Sequence, residues 1–337
     1  MSTSDRLSRP LRDLRISVTD RCNFRCPYCM PAEIFGEKYE FLPRTDILTF
    51  EEIERIARVT ANLGVDKIRI TGGEPLLRRD LDRLVSSLSG IPAVHDLTLT
   101  TNGVLLAESA ERLRATGLKR ITISLDSLDP TVFREMAGRD ASPETVLQAI
   151  DAAQGVGLEP IKINAVVKRG VNDHTFVDLA RHFHGTPHIV RFIEYMDVGN
   201  RNDWQLDRVV SAEEIVGRIG DALPLEPIDA NYPGEVARRY RYIDGGGEIG
   251  VIASVTQPFC GDCTRLRLST DGKLFTCLFG TSGTDLRDPI RGGATDDELT
   301  ELIRSVWTDR EDRYSEERTG KTSLSGLKKV EMYQIGG

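Results

Sequence analysis

The sequence predicts an α/β protein, an incomplete (βα)6 barrel of the TIM type carrying a C-terminal extension. Three observations lead there. Short β-branched runs alternate with amphipathic stretches between residues 14 and 194, the pattern of parallel strands joined by right-handed helical crossovers. The alternation yields six units, fewer than the eight that close a barrel. After Met196 the rhythm gives way to a Pro- and Gly-richer region. A soft boundary over residues 196–225 divides the chain into a core, 1–225, and a C-terminal region, 226–337. A doubly wound open sheet is the second reading of the same alternation.

In chain order the predicted strands are Leu14–Val18, Lys67–Ile70, Asp96–Thr100, Arg120–Leu125, Pro160–Val167 and Ile189–Ile193. Each is short and rich in β-branched residues, as buried parallel strands are. Between them the apolar spacing changes to helical at 49–63, 79–88, 105–116, 142–156 and 174–184, with Gly64, Gly117 and Gly157 as C-terminal stops. Beyond the boundary a helix at 212–219, short strands at 239–243 and 249–253, and an acidic helix at 296–307 are expected. The polar tail from Tyr314 ends in Gly336-Gly337 and reads as mobile.

The chain has 337 residues, 39% hydrophobic and 28% charged, so a sizeable core needs no disulfide staples. No apolar run is long enough to span a bilayer, and the polar opening MSTSDRLSRPLRD is no signal peptide. A net charge of −8 argues against nonspecific nucleic-acid binding. The six cysteines fall in two tight triplets at opposite ends of the chain, unlike a secreted disulfide framework. A reducing cytoplasm and metal sites are expected instead.

The first triplet, Cys22, Cys26 and Cys29, forms CxxxCxxC directly after the first strand, where loops of βα barrels carry chemistry. Three soft ligands fall one short of a closed structural zinc or cubane site, leaving a corner for a substrate or cofactor. Thr71-Gly72-Gly73-Glu74-Pro75, Thr101-Asn102-Gly103 and Ser124-Leu125-Asp126-Ser127 end the next three strands and converge on the same rim. There Gly73 would let a ligand approach the backbone, Glu74 would accept from an ammonium, and Ser124 would donate to a carboxylate.

The second triplet, Cys260, Cys263 and Cys277, encloses the alternating Thr264-Arg265-Leu266-Arg267-Leu268, which turns both guanidiniums to one face. Arg15, Lys67, Arg69, Lys162 and Arg191 sit within otherwise apolar strands. Pointing inward, they would call for a highly charged anion such as a triphosphate. On spacing alone, structural zinc remains a reading of either triplet.

CxxxCxxC with an aromatic before its third cysteine, followed by Gly-Gly-Glu-Pro after the second strand, resembles the radical S-adenosylmethionine (SAM) superfamily. The wider pattern, LRISVTDRCNFRCPYCMP, TGGEPLLR, ITISLDSLD and FCGDCTRLRLSTDGKLFTCLF with a terminal Gly-Gly, resembles the GTP 3′,8-cyclase family of molybdenum-cofactor biosynthesis along essentially the whole chain. The resemblance implies a radical SAM barrel, a C-terminal extension with a second iron–sulfur cluster, and conversion of GTP to (8S)-3′,8-cyclo-7,8-dihydroguanosine 5′-triphosphate. It implies two 4Fe-4S clusters as cofactors, one on Cys22, Cys26 and Cys29 and one on Cys260, Cys263 and Cys277. SAM would meet Tyr28, Gly73, Ser124 and Met196; GTP would meet Arg15, Arg69, Thr100, Lys162, Arg265 and Arg267, helped by Lys67 and Arg191. No side chain need act as nucleophile, and Gly336-Gly337 would reach the active site. The implied partners are GTP, an external electron donor, a downstream cyclic pyranopterin monophosphate synthase and a second copy in a homodimer, with neither nucleic acid nor membrane. A two-cluster radical SAM enzyme acting on a peptide, and a zinc-stabilised binding module, are the competing readings.

Overall fold

The structure, a computed structural model, describes residues 3–318 and 328–337. Six strands and their crossovers follow one another from the N-terminus. They are β1 (Asp13–Ser17), α1 (Phe50–Asn62), β2 (Lys67–Thr71), α2 (Leu81–Ser89), β3 (Asp96–Thr101), α3 (Ala110–Ala115), β4 (Arg120–Ser124), α4 (Pro130–Ala137), α5 (Pro143–Gly155), β5 (Lys162–Val167), α6 (Phe176–Phe183) and β6 (Ile189–Glu194). The chain continues through α7 (Ala212–Ala222), β7 (Leu225–Ile228), β8 (Arg238–Tyr242), β9 (Glu248–Ile252), β10 (Arg265–Leu268), β11 (Lys273–Phe275), β12 (Thr284–Asp285), α8 (Arg287–Arg291), α9 (Asp296–Thr308), α10 (Tyr314–Glu317) and α11 (Met332–Ile335).

Each predicted strand of the first half appears within two residues of its expected bounds, and strands β1 to β6 are neighbours in order, all parallel. The later strands do not form a separate sheet. Strand β10 pairs in parallel with β1, and β9 with β6, so the C-terminal half extends both edges of one twelve-stranded sheet. Helix starts follow local chemistry: Thr49 and Glu52 form a capping box on α1, Thr295 and Glu298 one on α9, and Asp129 caps α4 ahead of Pro130. Helix α3 is shorter than the predicted 105–116, and α4 was not anticipated.

The two faces of the sheet differ in chemistry. Leu14, Ile68, Leu97, Ile121, Ile163 and Phe192 lie on one face and join the main hydrophobic core beneath the helices. Alternate positions put Arg15, Arg69, Thr98, Thr122, Asn164 and Arg191 on the other. That second face is concave, because Arg15 and Arg69 line the same cavity as Arg191 from the far side of the parallel array.

Of the tail expected to be mobile from Tyr314, residues 319–327 lie outside the described residues, and residues 328–337 pack onto the body. Tyr333 and Ile335 are buried, the Tyr333 hydroxyl lies 2.8 Å from that of Tyr39, and the Thr270 amide donates to the Gln334 carbonyl. Burial of two large apolar side chains outweighs the polar composition from which mobility was read.

Candidate active site

The cysteine loop after β1 is held from three sides. Arg25 is buried, and its guanidinium donates to the carbonyls of Cys22, Phe24 and Phe35, at 2.8, 2.7 and 2.6 Å. Asn102, after β3, donates through its side chain to Asn23 at 2.7 Å. The Tyr28 hydroxyl donates to Asp126 at 2.9 Å, and the other oxygen of Asp126 accepts from the Val166 amide. Burial pushes the Asp126 carboxyl up to about 6, against the pull of those two donors.

Gly73 also packs against the chain's own cysteine loop. The Gly73 amide donates to the Thr19 carbonyl at 2.7 Å and the Glu74 amide to the Arg21 carbonyl at 2.8 Å. A Cβ on Gly73 would run into the Arg21 carbonyl, so the glycine clears space for the chain's own cysteine loop. The Glu74 carboxylate is likewise spoken for, by the Thr101 hydroxyl (2.7 Å) and the amides of Asn102 (2.8 Å) and Leu76 (3.0 Å). It ties the β2 loop to the β3 loop and also lines the cavity at the first cysteine triplet. Burial raises it to about 7.

The second cysteine loop is anchored by arginines that sequence reasoning passed over. Arg9, paired with Asp5 at 2.5 Å, donates to the carbonyls of Cys260 and Asp312, and Arg310 donates to that of Cys263 at 2.7 Å. Arg265 reaches the Cys263 sulfur at 3.1 Å. Burial pushes the Cys263 thiol up, but the charges of Arg265 and Arg310 outweigh it and hold it at about 7. Burial pushes Cys22 and Cys277 up to about 12.

Two cavities open on the concave face. One is walled by Cys22, Cys26 and Cys29 and also by Tyr28, Gly73, Ser124 and Met196, all four residues assigned to SAM. The other is walled by Cys260, Cys263 and Cys277 with Arg15, Arg69, Thr100, Arg191, Arg265 and Arg267. Thr100, Asn164, Ile193, Met196, Leu278 and Gly337 belong to both, so the two form one chamber. Lys67 and Lys162 stand outside these walls, at the first positions of β2 and β5.

Among the described residues no carboxylate pairs with Arg15, Arg69, Arg191, Arg265 or Arg267, whereas Arg310, in the same wall, pairs with Asp312. Arg69 donates to the hydroxyls of Thr100 (2.8 Å) and Thr122 (3.0 Å), and Arg191 to Thr122 (3.3 Å). Arg15 donates to the Gly337 carbonyl at 2.8 Å and Arg267 to that of Gly336. Burial, then repulsion from neighbouring guanidiniums, pushes Arg15 and Arg69 down to about 9 and, with Arg120 as the neighbour, Arg191 to about 10. A polyanion would relieve all of them at once.

The tail that closes the chamber is clasped by Asp197, just past Met196. Its carboxylate accepts from the Tyr314 hydroxyl at 2.5 Å and from Lys329 at 2.9 Å, with Arg318 at 2.7 Å.

The donor sets fit iron–sulfur clusters. Among the described residues no three His, Cys, Asp or Glu side chains close on one point as a single metal ion requires. The thiols of each triplet instead share a cavity wall, and a cubane takes one thiolate per iron.

Comparison with known proteins agrees with this geometry. The description "Radical SAM superfamily" matches residues 16–183 and "Molybdenum Cofactor Synthesis C" residues 188–316. A GTP 3′,8-cyclase of Acidothermus cellulolyticus is 55% identical, the match covering 99% of this chain and 98% of the relative. One from Staphylococcus aureus strain MRSA252 is 48% identical over the same shares. Among solved structures, Streptococcus suis SuiB bound to its precursor peptide SuiA superposes with a TM-score of 0.60 over 95% of this chain and 70% of that one. At 18% identity that likeness concerns the fold alone. The full-length identity to the cyclases and the two matched regions together place this chain in the GTP 3′,8-cyclase family of the radical SAM superfamily.

Proposed function

We propose that the chamber binds SAM at its Cys22, Cys26, Cys29 end and GTP at its Cys260, Cys263, Cys277 end. The family activity is 3′,8-cyclisation of GTP, the first step of molybdenum-cofactor biosynthesis, and its cofactors are SAM and two 4Fe-4S clusters. The observation that carries the residue assignment is the single chamber with one cysteine triplet in each wall.

When bound at the first cluster, SAM supplies hydrogen-atom abstraction from an unactivated carbon. The chain's own residues do the rest. Tyr28, Gly73, Ser124 and Met196 shape the SAM end. Arg15, Arg69, Arg265 and Arg267 bind and orient the nucleotide, with Thr100 at the passage between the ends. Holding the reacting carbons together accounts for much of the acceleration expected of such a site. The tail, bound by Arg15, Arg267 and Asp197, excludes water and thiols from one side.

The concave sheet is read as an incomplete (βα)6 barrel of the radical SAM type. Its support is the convergence of β1, β2 and β6 side chains on one cavity, which a flat sheet, with neighbouring strands about 4.8 Å apart, would keep separated. Residues 1–225 then serve as the SAM-binding core and 226–337 as the region of the second cluster and much of the substrate site. This division is functional, since the sheet runs through both. The reading includes an external electron donor and a downstream cyclic pyranopterin monophosphate synthase. No helix among the described residues is long and apolar enough to cross a membrane, which accords with a cytoplasmic setting.

Iron analysis after anaerobic reconstitution tests the two-cluster assignment. The unmodified protein is expected to hold about eight irons per chain, and a Cys260→Ser, Cys263→Ser, Cys277→Ser variant about four, still cleaving SAM without GTP turnover. An unchanged iron content in that variant, or stoichiometric zinc in the unmodified protein, would refute it.

A further inference from the structure

The connection between β7 and β8 carries two polar side chains to the lysines that stand just outside the chamber walls, at the first positions of β2 and β5. Lys67 donates to the Tyr232 hydroxyl at 2.8 Å and stands 4.6 Å from the centre of its ring. Lys162 lies 3.9 Å from Glu235, whose side chain is 5% exposed. Val236, the next residue, is part of the cavity wall beside Arg15 and Arg69.

The acids near these lysines divide clearly. Asp13 pairs with Lys67 at 3.3 Å, and Asp96 pairs with Arg120 while lying 4.0 Å from Lys67. Both acids come from strands of the sheet. Glu235 comes from a connection, held by the Asn231 amide, which donates to its carboxylate at 2.7 Å. Among the described residues Lys162 pairs with no other carboxylate, and Arg191, which also feels the charge of Glu235, pairs with none.

We propose that Glu235 is a resident counter-ion for Lys162 that the terminal phosphates of the bound nucleotide displace, a positioning residue for the substrate. This rests on the chamber's GTP end being the nucleotide site. In the free protein the carboxylate screens the repulsion between Lys162 and Arg191. Phosphate oxygens offer the same cations more charge and more acceptors than one carboxylate. The carboxylate then leaves Lys162, and the Asn231 amide loses its acceptor. A nucleotide monophosphate, with two fewer phosphates, leaves the pair intact.

Equilibrium binding under anaerobic conditions tests this with GTP and guanosine 5′-monophosphate. Glu235→Gln is expected to tighten GTP binding about fivefold and to leave the monophosphate within about twofold, since only GTP must displace the acid. In the Lys162→Met background the gain for GTP should disappear, a coupling that a merely structural Glu235 would not show. Equal or weaker GTP binding, equal tightening of both nucleotides, or an undiminished gain in the Lys162→Met background would each overturn the proposal. Should Glu235→Gln not fold, amide exchange in the unmodified protein decides. GTP, not the monophosphate, should speed exchange at Asn231, and unchanged or slowed exchange refutes displacement. If the unmodified protein does not bind GTP at all, the failure belongs to the nucleotide-site reading instead.

Discussion

Lys162 shows what a buried cation costs before its ligand arrives. Burial, then the charges of Arg191 and Arg120, push its ammonium down to about 7 even with Glu235 beside it. Arg69 is pushed down to about 9 for the same reasons, burial first and Arg191 next. A triphosphate favours the charged form of each group and raises these values again. GTP binding should therefore take up protons at pH 8, and affinity should fall as pH rises from about 7, where free Lys162 titrates. Calorimetry in buffers of different ionisation enthalpy reads the uptake directly, and no uptake would contradict the placing of phosphates at Lys162. In the free protein the sign is opposite. Lys162 is protonated in folded and unfolded chains below about 7, and stability rises with pH from there to the ordinary lysine value of 10.5 and is level beyond it, because the folded chain sheds the buried charge first.

Glu194 shows how one element end can organise several. It ends β6, is fully buried, and its carboxylate accepts from the amides of Ala212, Val255 and Thr256 and from the Thr256 hydroxyl. It thereby caps α7 and sets the loop after β9, whose Ser254 hydroxyl lies 3.3 Å from the Met196 sulfur. Glu194→Ala leaves these donors buried without acceptors and should cost roughly 3 kcal/mol in urea unfolding, with Glu194→Gln recovering part of it. A loss under about 1 kcal/mol would mean that water replaces the carboxylate. The strands of this core were legible because parallel buried strands are short apolar runs that need no distant information. Helix α4 was overlooked because it is a short run directly behind the end of β4, although Asp129-Pro130 is a helix-start signal in plain view. The pairing of β10 with β1 was not legible, since it joins Arg265 to Asp13 across most of the sequence and no local pattern encodes it.

At the scale of the molecule the extension closes the sheet's concave face from both edges and brings the second cysteine triplet opposite the first. The cysteines and the strand arginines could be read from sequence because soft ligands at short spacing, and charges in apolar strands, have few other uses. Arg9, Arg310, Asp197 and Glu235 could not, because each is an ordinary surface-type residue until the fold supplies its partner. The central claim is that the two triplets face one chamber, so that hydrogen abstracted from GTP is delivered to SAM-derived adenosyl carbon without leaving the protein. Anaerobic turnover with a chemical reductant, SAM and GTP deuterated at the 3′ carbon tests it most directly. The account predicts deuterium in 5′-deoxyadenosine together with the cyclised nucleotide, whereas SAM cleavage yielding 5′-deoxyadenosine without deuterium would contradict it.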